Sequence, residues 1–301
     1  MRTIRRYQAF RIPKAQVDEL GTMLKAQLEY TPQGGDRGMI SLAILEEDTD
    51  CQVFEEYCHL NKIHFYSARQ RQYSRAEIES AQYFLLTDEN SPSDTDATKY
   101  ASEGACPLCG VGLKRIGPLV IETKHAPLPK KKMFRVSLRQ SNEWIVASEI
   151  SGLFKGMSGF HFGDVCAAAT SSTPLDYVRQ IVIDNYLPRM ATNTNFQEYD
   201  PPKKDKCSCN RSGWRLADEI IYERAALIEA NDFNLTVERW YGGGPVGLNW
   251  PIVSQRVRRV ILDNKLLRPA CFEPFRIIEQ DPGGQYKFEL PLDTPASSKV
   301  R

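Results

Sequence analysis

The sequence predicts an α+β protein: a small N-terminal α/β unit followed by a β-rich module that occurs twice, each copy opening on a cysteine knuckle of zinc-ribbon type. Three observations carry this. Strand-like and helix-like stretches alternate through the first 87 residues. A polar, acidic stretch then breaks the pattern. Beyond it, the Cys-x-x-x-Gly frame of Cys106-Pro107-Leu108-Cys109-Gly110 returns as Cys209-Asn210-Arg211-Ser212-Gly213, and the residues after the two points stay in step.

The expected divisions are an N-terminal α/β domain over 1–87, a polar linker over 88–104, a first copy over 105–200 and a second over 207–292. In the first domain, Tyr7 to Ile12 is strand-like, and Pro13 opens a helix with Val17, Leu20, Leu24 and Leu28 on one face. Met39 to Leu45 is a nearly continuous apolar strand. Asp50 is placed to cap a second helix that buries Val53, Phe54 and Tyr57. Ile63 to Tyr66 is a strand, and Ser74-Arg75-Ala76-Glu77 forms a capping box before a helix carrying Ile78, Ala81 and Gln82. The Gly34–Gly38 turn is not a phosphate loop: it follows a helix and lacks the Gly-Lys-Ser/Thr ending.

In the repeat, Val120-Ile121-Glu122 parallels Ile221-Tyr222-Glu223, and Phe134 parallels Phe233. Trp144 parallels Trp250, Phe162 parallels Phe272, and Tyr177 parallels Tyr286. From Cys106/Cys209 onward the offset runs 103, 101, 99, 106, 110 and 109 residues, a drift that loop-sized insertions explain. Each copy reads as strand, strand, a tryptophan-led step into a helix, and an aromatic strand. The helices carry Ile150, Leu153 and Phe154 in one copy and Val257, Val260 and Ile261 in the other. Two copies are too few for a solenoid, so the expectation is two halves packed together.

Composition is that of a globular chain, with 42% hydrophobic and 26% charged residues. Net charge is +1, which gives no bulk attraction to nucleic acid or membrane. No apolar run approaches the ~18 residues of a membrane span, and the basic start lacks the apolar core of a secretion signal. A cytoplasmic location is expected, and eight scattered cysteines suit a reducing compartment.

Cys-x-x-Cys-Gly has the form of a zinc knuckle, in which the glycine lets the chain turn so that both thiolates face one ion. A structural zinc takes four ligands. Cys106 and Cys109 supply two, and Cys207 and Cys209, at the matching place in the second copy, supply the other pair. The second pair is Cys-x-Cys, with Ser212 where Cys109 stands in the first copy. Either Cys207 replaces the lost ligand, or the site has decayed to ordinary thiols. His125 is the reserve ligand. A redox role is not expected, since no strand-to-helix context surrounds Cys106. Cys51, Cys58, Cys166 and Cys271 sit among apolar neighbours and read as core. His161 lies between Phe160 and Phe162 and faces away from them in a strand. Lys130-Lys131-Lys132 reads as a solvated turn. No catalytic triad, paired-carboxylate or nucleophile-elbow motif occurs.

The duplicated order of Cys-x-x-Cys-Gly, strands, a Trp-Ile-Val-Ser-like step into a helix and an aromatic strand resembles the double-CxxCG-motif family, bacterial paralogues expanded in myxobacteria. The resemblance rests on Cys106 to Gly110, Trp144 to Ser148, Trp250 to Ser254 and the Phe162 and Phe272 strands, and it covers about residues 105 to 290. The second motif departs from it at Ser212. Some members of that family are cytoplasmic immunity proteins, and the resemblance implies a non-enzymatic protein that neutralises a cognate toxin by direct binding. The insertions at Gly242 to Leu248 and at 88–104 are the candidate contacts. The alternative is a zinc-ribbon protein associated with nucleic acid, whose binding would weaken steeply with salt.

Overall fold

The computed structural model describes residues 2–87, 98–103, 105–106, 114–121, 132–137, 142–168, 173–198, 214–239 and 248–284. It is a mixed α+β fold with several sheets, and the chain divides into two compact units. The first comprises residues 1–80 with the short segments 195–200 and 216–219; the second holds the remainder. Among the described residues, no helix is long and apolar enough to cross a membrane.

In the first unit the order is β1 (Arg2–Pro13), α1 (Lys14–Met23), β2 (Glu29–Pro32), β3 (Arg37–Leu45), α2 (Thr49–Leu60), β4 (Phe65–Gln72) and α3 (Arg75–Ser80). The strands form an antiparallel sheet in the order β2-β3-β1-β4. β1 carries one extra residue between Ala9 and Ile12, where Arg11 adopts φ 58°. That bulge shifts the alternation by one, which is why Tyr7, Ala9 and Ile12 all bury. β3 is half-buried: Ile40, Leu42 and Ile44 face inward and their neighbours do not. Val17 and Leu20 of α1 and Cys51, Phe54, Tyr57 and Cys58 of α2 join the inward residues of β1 and β3 in one core. Tyr7 and Phe54 rings lie 4.6 Å apart between centroids at its centre. Truncating a ring buried like Phe54 costs on the order of 3–5 kcal/mol.

The caps divide differently from the sequence expectation. Asp48, not Asp50, caps α2, its Oδ1 accepting from Asp50 N at 3.1 Å. Asp50 is buried and turns its carboxylate to the chain leaving α1, accepting from the backbone N–H of Lys25 at 2.7 Å and Ala26 at 2.8 Å. A carboxylate at that place satisfies two donors that no helix or strand reaches. At α3 the reciprocal capping box forms: Ser74 N donates to Glu77 Oε2, and Glu77 N donates to Ser74 Oγ. The helix stops at Ser80 instead of continuing through Gln82.

The second unit begins with β5 (Tyr83–Leu86), β6 (Tyr100–Ala101), β7 (Lys114–Arg115), β8 (Leu119–Ile121), β9 (Met133–Ser137) and β10 (Asn142–Ala147). A 3-10 helix over Ser148–Phe154 follows, where the periodicity predicts an α-helix. Next come β11 (Phe160–Gly163), β12 (Val165–Ala167), β13 (Val178–Ile183), β14 (Phe196–Glu198) and β15 (Trp214–Leu216). The chain continues with β16 (Ile221–Glu223), β17 (Phe233–Leu235), β18 (Pro251–Ser254), α4 (Gln255–Asp263), β19 (Phe272–Pro274) and β20 (Arg276–Ile278). β14 and the end of β15 belong to the segments counted with the first unit.

Two four-stranded antiparallel sheets dominate, in the orders β11-β13-β10-β9 and β19-β5-β18-β17. Each half also has a parallel pair, β8 with β12 and β16 with β20. In the second sheet, the place that β13 holds in the first belongs to β5, from the beginning of the unit. Tyr286 to Leu290, expected to close the second copy, lie outside the described residues. The β8–β12 pair covers one face of the first sheet through Leu119, Ile121, Phe134, Val136, Ile145, Val165 and Val178. On its other face Phe160 meets Phe233 of β17 at 4.6 Å between ring centroids.

Replacing Asp50 by alanine removes the acceptor for two backbone donors and is expected to cost about 2 kcal/mol. Urea denaturation of the full chain should show that loss, with faster amide exchange at Lys25 and Ala26. Asp50→Asn, which keeps one oxygen, should recover part of it.

Candidate functional site

Of the four cysteines expected to hold zinc, Cys106 is described and is half-buried. It lies in the connection of the β6–β7 hairpin, which is closed by Tyr100 opposite Arg115 and Ala101 opposite Lys114. Ala105 N donates to Ser102 O at 3.0 Å just before it, so the chain is already turning as it reaches the thiol. Cys109 belongs to the same connection, and Cys207 and Cys209 to the connection between β14 and β15. Those three and His125 lie outside the described residues. A cysteine pair in the connection of a two-stranded hairpin is a donor arrangement that suits a zinc knuckle. Lys132, at the end of the lysine run, pairs with Glu149 at 2.9 Å.

The other cysteines are core residues. Cys51, Cys58, Cys166 and Cys271 are all buried. Burial pushes the Cys58 thiol up to about 12 and raises those of Cys51 and Cys166 as well. None of these three resembles an activated nucleophile, which needs a depressed value.

A cleft of about 500 Å³ opens on the face of the first sheet beside the β8–β12 pair. Its floor follows from the register: Gln180 of β13 stands opposite Ile145 on one side and Gly163 on the other, and His161 stands opposite Val182. These residues therefore share one face, and Phe160 and Phe162 point to the other. The alternation expected for His161 is what the strand adopts. Pro118 and Pro174 add apolar walls, and Arg115 enters from the end of β7.

Polar groups in the cleft are mostly spoken for. His161 Nδ1 lies 2.6 Å from Asp184 Oδ2. A carboxylate only accepts, so Nδ1 carries the proton. Asp164 pairs with Arg179 at 2.8 Å. Arg115 donates from Nη1 to Gly117 O at 2.9 Å, and its Nε stands 4.0 Å from Glu143 Oε1. Gln180, wholly buried, donates from Nε2 to Glu143 Oε2. Two polar atoms remain without a hydrogen-bond partner among the described residues, Gln180 Oε1 and Arg115 Nε. Sequence reasoning passed over both. The signal was present in Val178-Arg179-Gln180-Ile181-Val182, where an amide interrupts the inward-facing apolar positions.

The insertions singled out as contacts are anchored together. Residues 88–97 and 240–247 lie outside the described residues, but the ends that flank them are clear. Leu85 of β5 stands opposite Ile252 of β18, and Leu235 of β17 stands opposite Pro251. The 88–97 segment thus begins, and the 240–247 segment is spanned, at one end of one sheet. Thr236 and Trp250 clamp the second base, each backbone N–H bonding the other residue at 2.9 Å. Asn249 Nδ2 adds a bond to Thr236 O at 2.6 Å. Thr98, buried beyond the first segment, bonds Val120 O at 3.2 Å.

Comparison with protein-family models, with curated proteins and with solved structures finds no match.

Brief alkylation of the native protein with N-ethylmaleimide near neutral pH should leave Cys51, Cys58, Cys166 and Cys271 unmodified by peptide mapping. The same residues should label fully in denaturant. Rapid native labelling of Cys58 would contradict the burial assigned to it.

Proposed function

We propose that the chain is a non-enzymatic binding protein, an immunity protein that neutralises a cognate bacterial toxin by direct binding. The observation behind this reading is the common anchorage of the 88–97 and 240–247 segments on the β19-β5-β18-β17 sheet. Both sequence insertions start from one rigid end, an arrangement that suits a binding surface on a fixed scaffold. The resemblance to the double-CxxCG-motif family supplies the class of partner. Co-expression with the product of the adjacent gene should restore growth to cells that the product alone arrests, and the two proteins should purify together. Absence of both rescue and complex would sink the proposal.

The same reading takes the second unit as a duplication, and the sheets lend it support. β5 to β12 and β13 to β20 run through the same sequence of strands, ribbons and parallel pairs. On this division each copy starts with a tyrosine at the opening of a strand, Tyr83 as the first residue of β5 and Tyr177 just before β13. The opening strand β13 completes the first copy's sheet, and β5 completes the second copy's. The β6–β7 and β14–β15 ribbons then correspond, which gives Cys106 and Cys109 a counterpart in Cys207 and Cys209. A zinc held by these four would be structural, fastening two ribbons whose own pairing is short. Elemental analysis of protein purified without chelator should find close to one zinc per chain. Cys106→Ser and Cys209→Ser should each lower it and reduce thermal stability. Zinc far below one per chain would remove the metal from the proposal.

A further inference from the structure

We infer that the cleft beside β13 binds a small neutral molecule through a cis-amide edge, an N–H next to a C=O in one ring, as in uracil or the pyrimidine ring of guanine. The inference stands on the cleft alone and does not rest on the toxin reading.

The charges decide the first half. Arg115 faces Glu143, Arg179 pairs with Asp164, and His161 pairs with Asp184. A phosphate or dicarboxylate finds no unpaired cation among these groups, and a second cation finds no unpaired carboxylate. A neutral guest fits that balance.

The unused hydrogen-bonding atoms decide the second half. Gln180 Oε1 is an acceptor on a side chain with no solvent exposure, and no partner reaches it among the described residues. Its orientation is set because the Nε2 end is donated to Glu143, which can only accept. A buried carbonyl oxygen left unmatched costs about 1–3 kcal/mol, so a guest that offers it an N–H gains that much selectivity. Arg115 Nε is the complementary atom, a donor with no hydrogen-bond acceptor in place; Glu143 Oε1 at 4.0 Å is too far to accept from it. Both unused atoms belong to side chains beside Glu143, and a guest that carries an N–H and a C=O on one edge matches the pair in kind.

Gly163 leaves room beside the amide. A Cβ at that position would stand 2.9 Å from Val182 Cγ2 and 3.4 Å from Gln180 Oε1. Any larger residue would crowd the oxygen. Pro118, Pro174 and Val182 supply apolar contact for a flat ring, and the volume falls within the roughly 300–1,000 Å³ of small-molecule sites.

The test uses the full-length protein and isothermal titration calorimetry with uridine and guanosine. Each is compared with the analogue whose ring N–H is methylated, 3-methyluridine or 1-methylguanosine. We expect at least one nucleoside to bind, its methylated form to bind ten-fold or more weakly, and inorganic phosphate at the same concentration not to compete. Gly163→Ala should abolish binding while the far-ultraviolet circular dichroism stays unchanged. Should that variant misfold, the methylated pairs on the unaltered protein still decide. No binding of either nucleoside at millimolar concentration, equal binding of a methylated form, or displacement by phosphate would each overturn the inference.

Discussion

The second sheet depends on four residues from the far side of the sequence. Tyr83 to Leu86 pair with β18 along one edge and with β19 along the other, so β5 is an interior strand. Without it, both neighbours would expose a full row of backbone donors and acceptors. The side chains match that position: Phe84, Leu85 and Leu86 are all buried, as befits a strand covered on both faces. Other elements fasten to the same strand. The Arg258 guanidinium of α4 sits 5.0 Å from the centre of the Phe84 ring, and Tyr83 donates its hydroxyl to Ala230 O at 3.2 Å. The sheet cannot be complete until the chain through Pro274 exists, which ties the start of the unit to its end. The bases of the 88–97 and 240–247 segments inherit their fixed spacing from this pairing.

That dependence marks the boundary of what the sequence could disclose about the fold. Local chemistry was legible. Val17 and Leu20 repeat at helical spacing and are buried, and Ser74 with Glu77 makes the capping box its spacing implies. Long-range pairing was not, because four apolar residues after a helix look alike whether they extend that helix or enter a distant sheet. Asp50 shows the same limit on a smaller scale. Asp48 and Asp50 both precede or open α2, and only the turn at Lys25 and Ala26, more than twenty residues earlier, decides which one caps. Gly159 is a third case. It has φ 86°, and a Cβ there would stand 2.1 Å from Phe233 O, a close approach of two backbones far apart in sequence. Glycine is required by the neighbour, not by any local turn signal.

For the cleft, residue type carried no signal and connectivity was informative. Cysteines drew attention because their spacing has a known chemistry, and glutamines have no such signature. Two buried amides in the second unit show what connectivity adds. Asn234 and Gln180 are both wholly inaccessible. Asn234 spends every polar atom: its Nδ2 donates to Asn231 O and Ile252 O, and its Oδ1 accepts from Asn185 Nδ2 and Asn231 N. Such an amide is structural, locking β17 to β18 and to the chain after β13. Gln180 spends only its donor end. Its oxygen has no partner among the described residues, and the side chain lines the cleft. At Gly163 a Cβ would stand 3.4 Å from that oxygen, and there the chain carries no side chain.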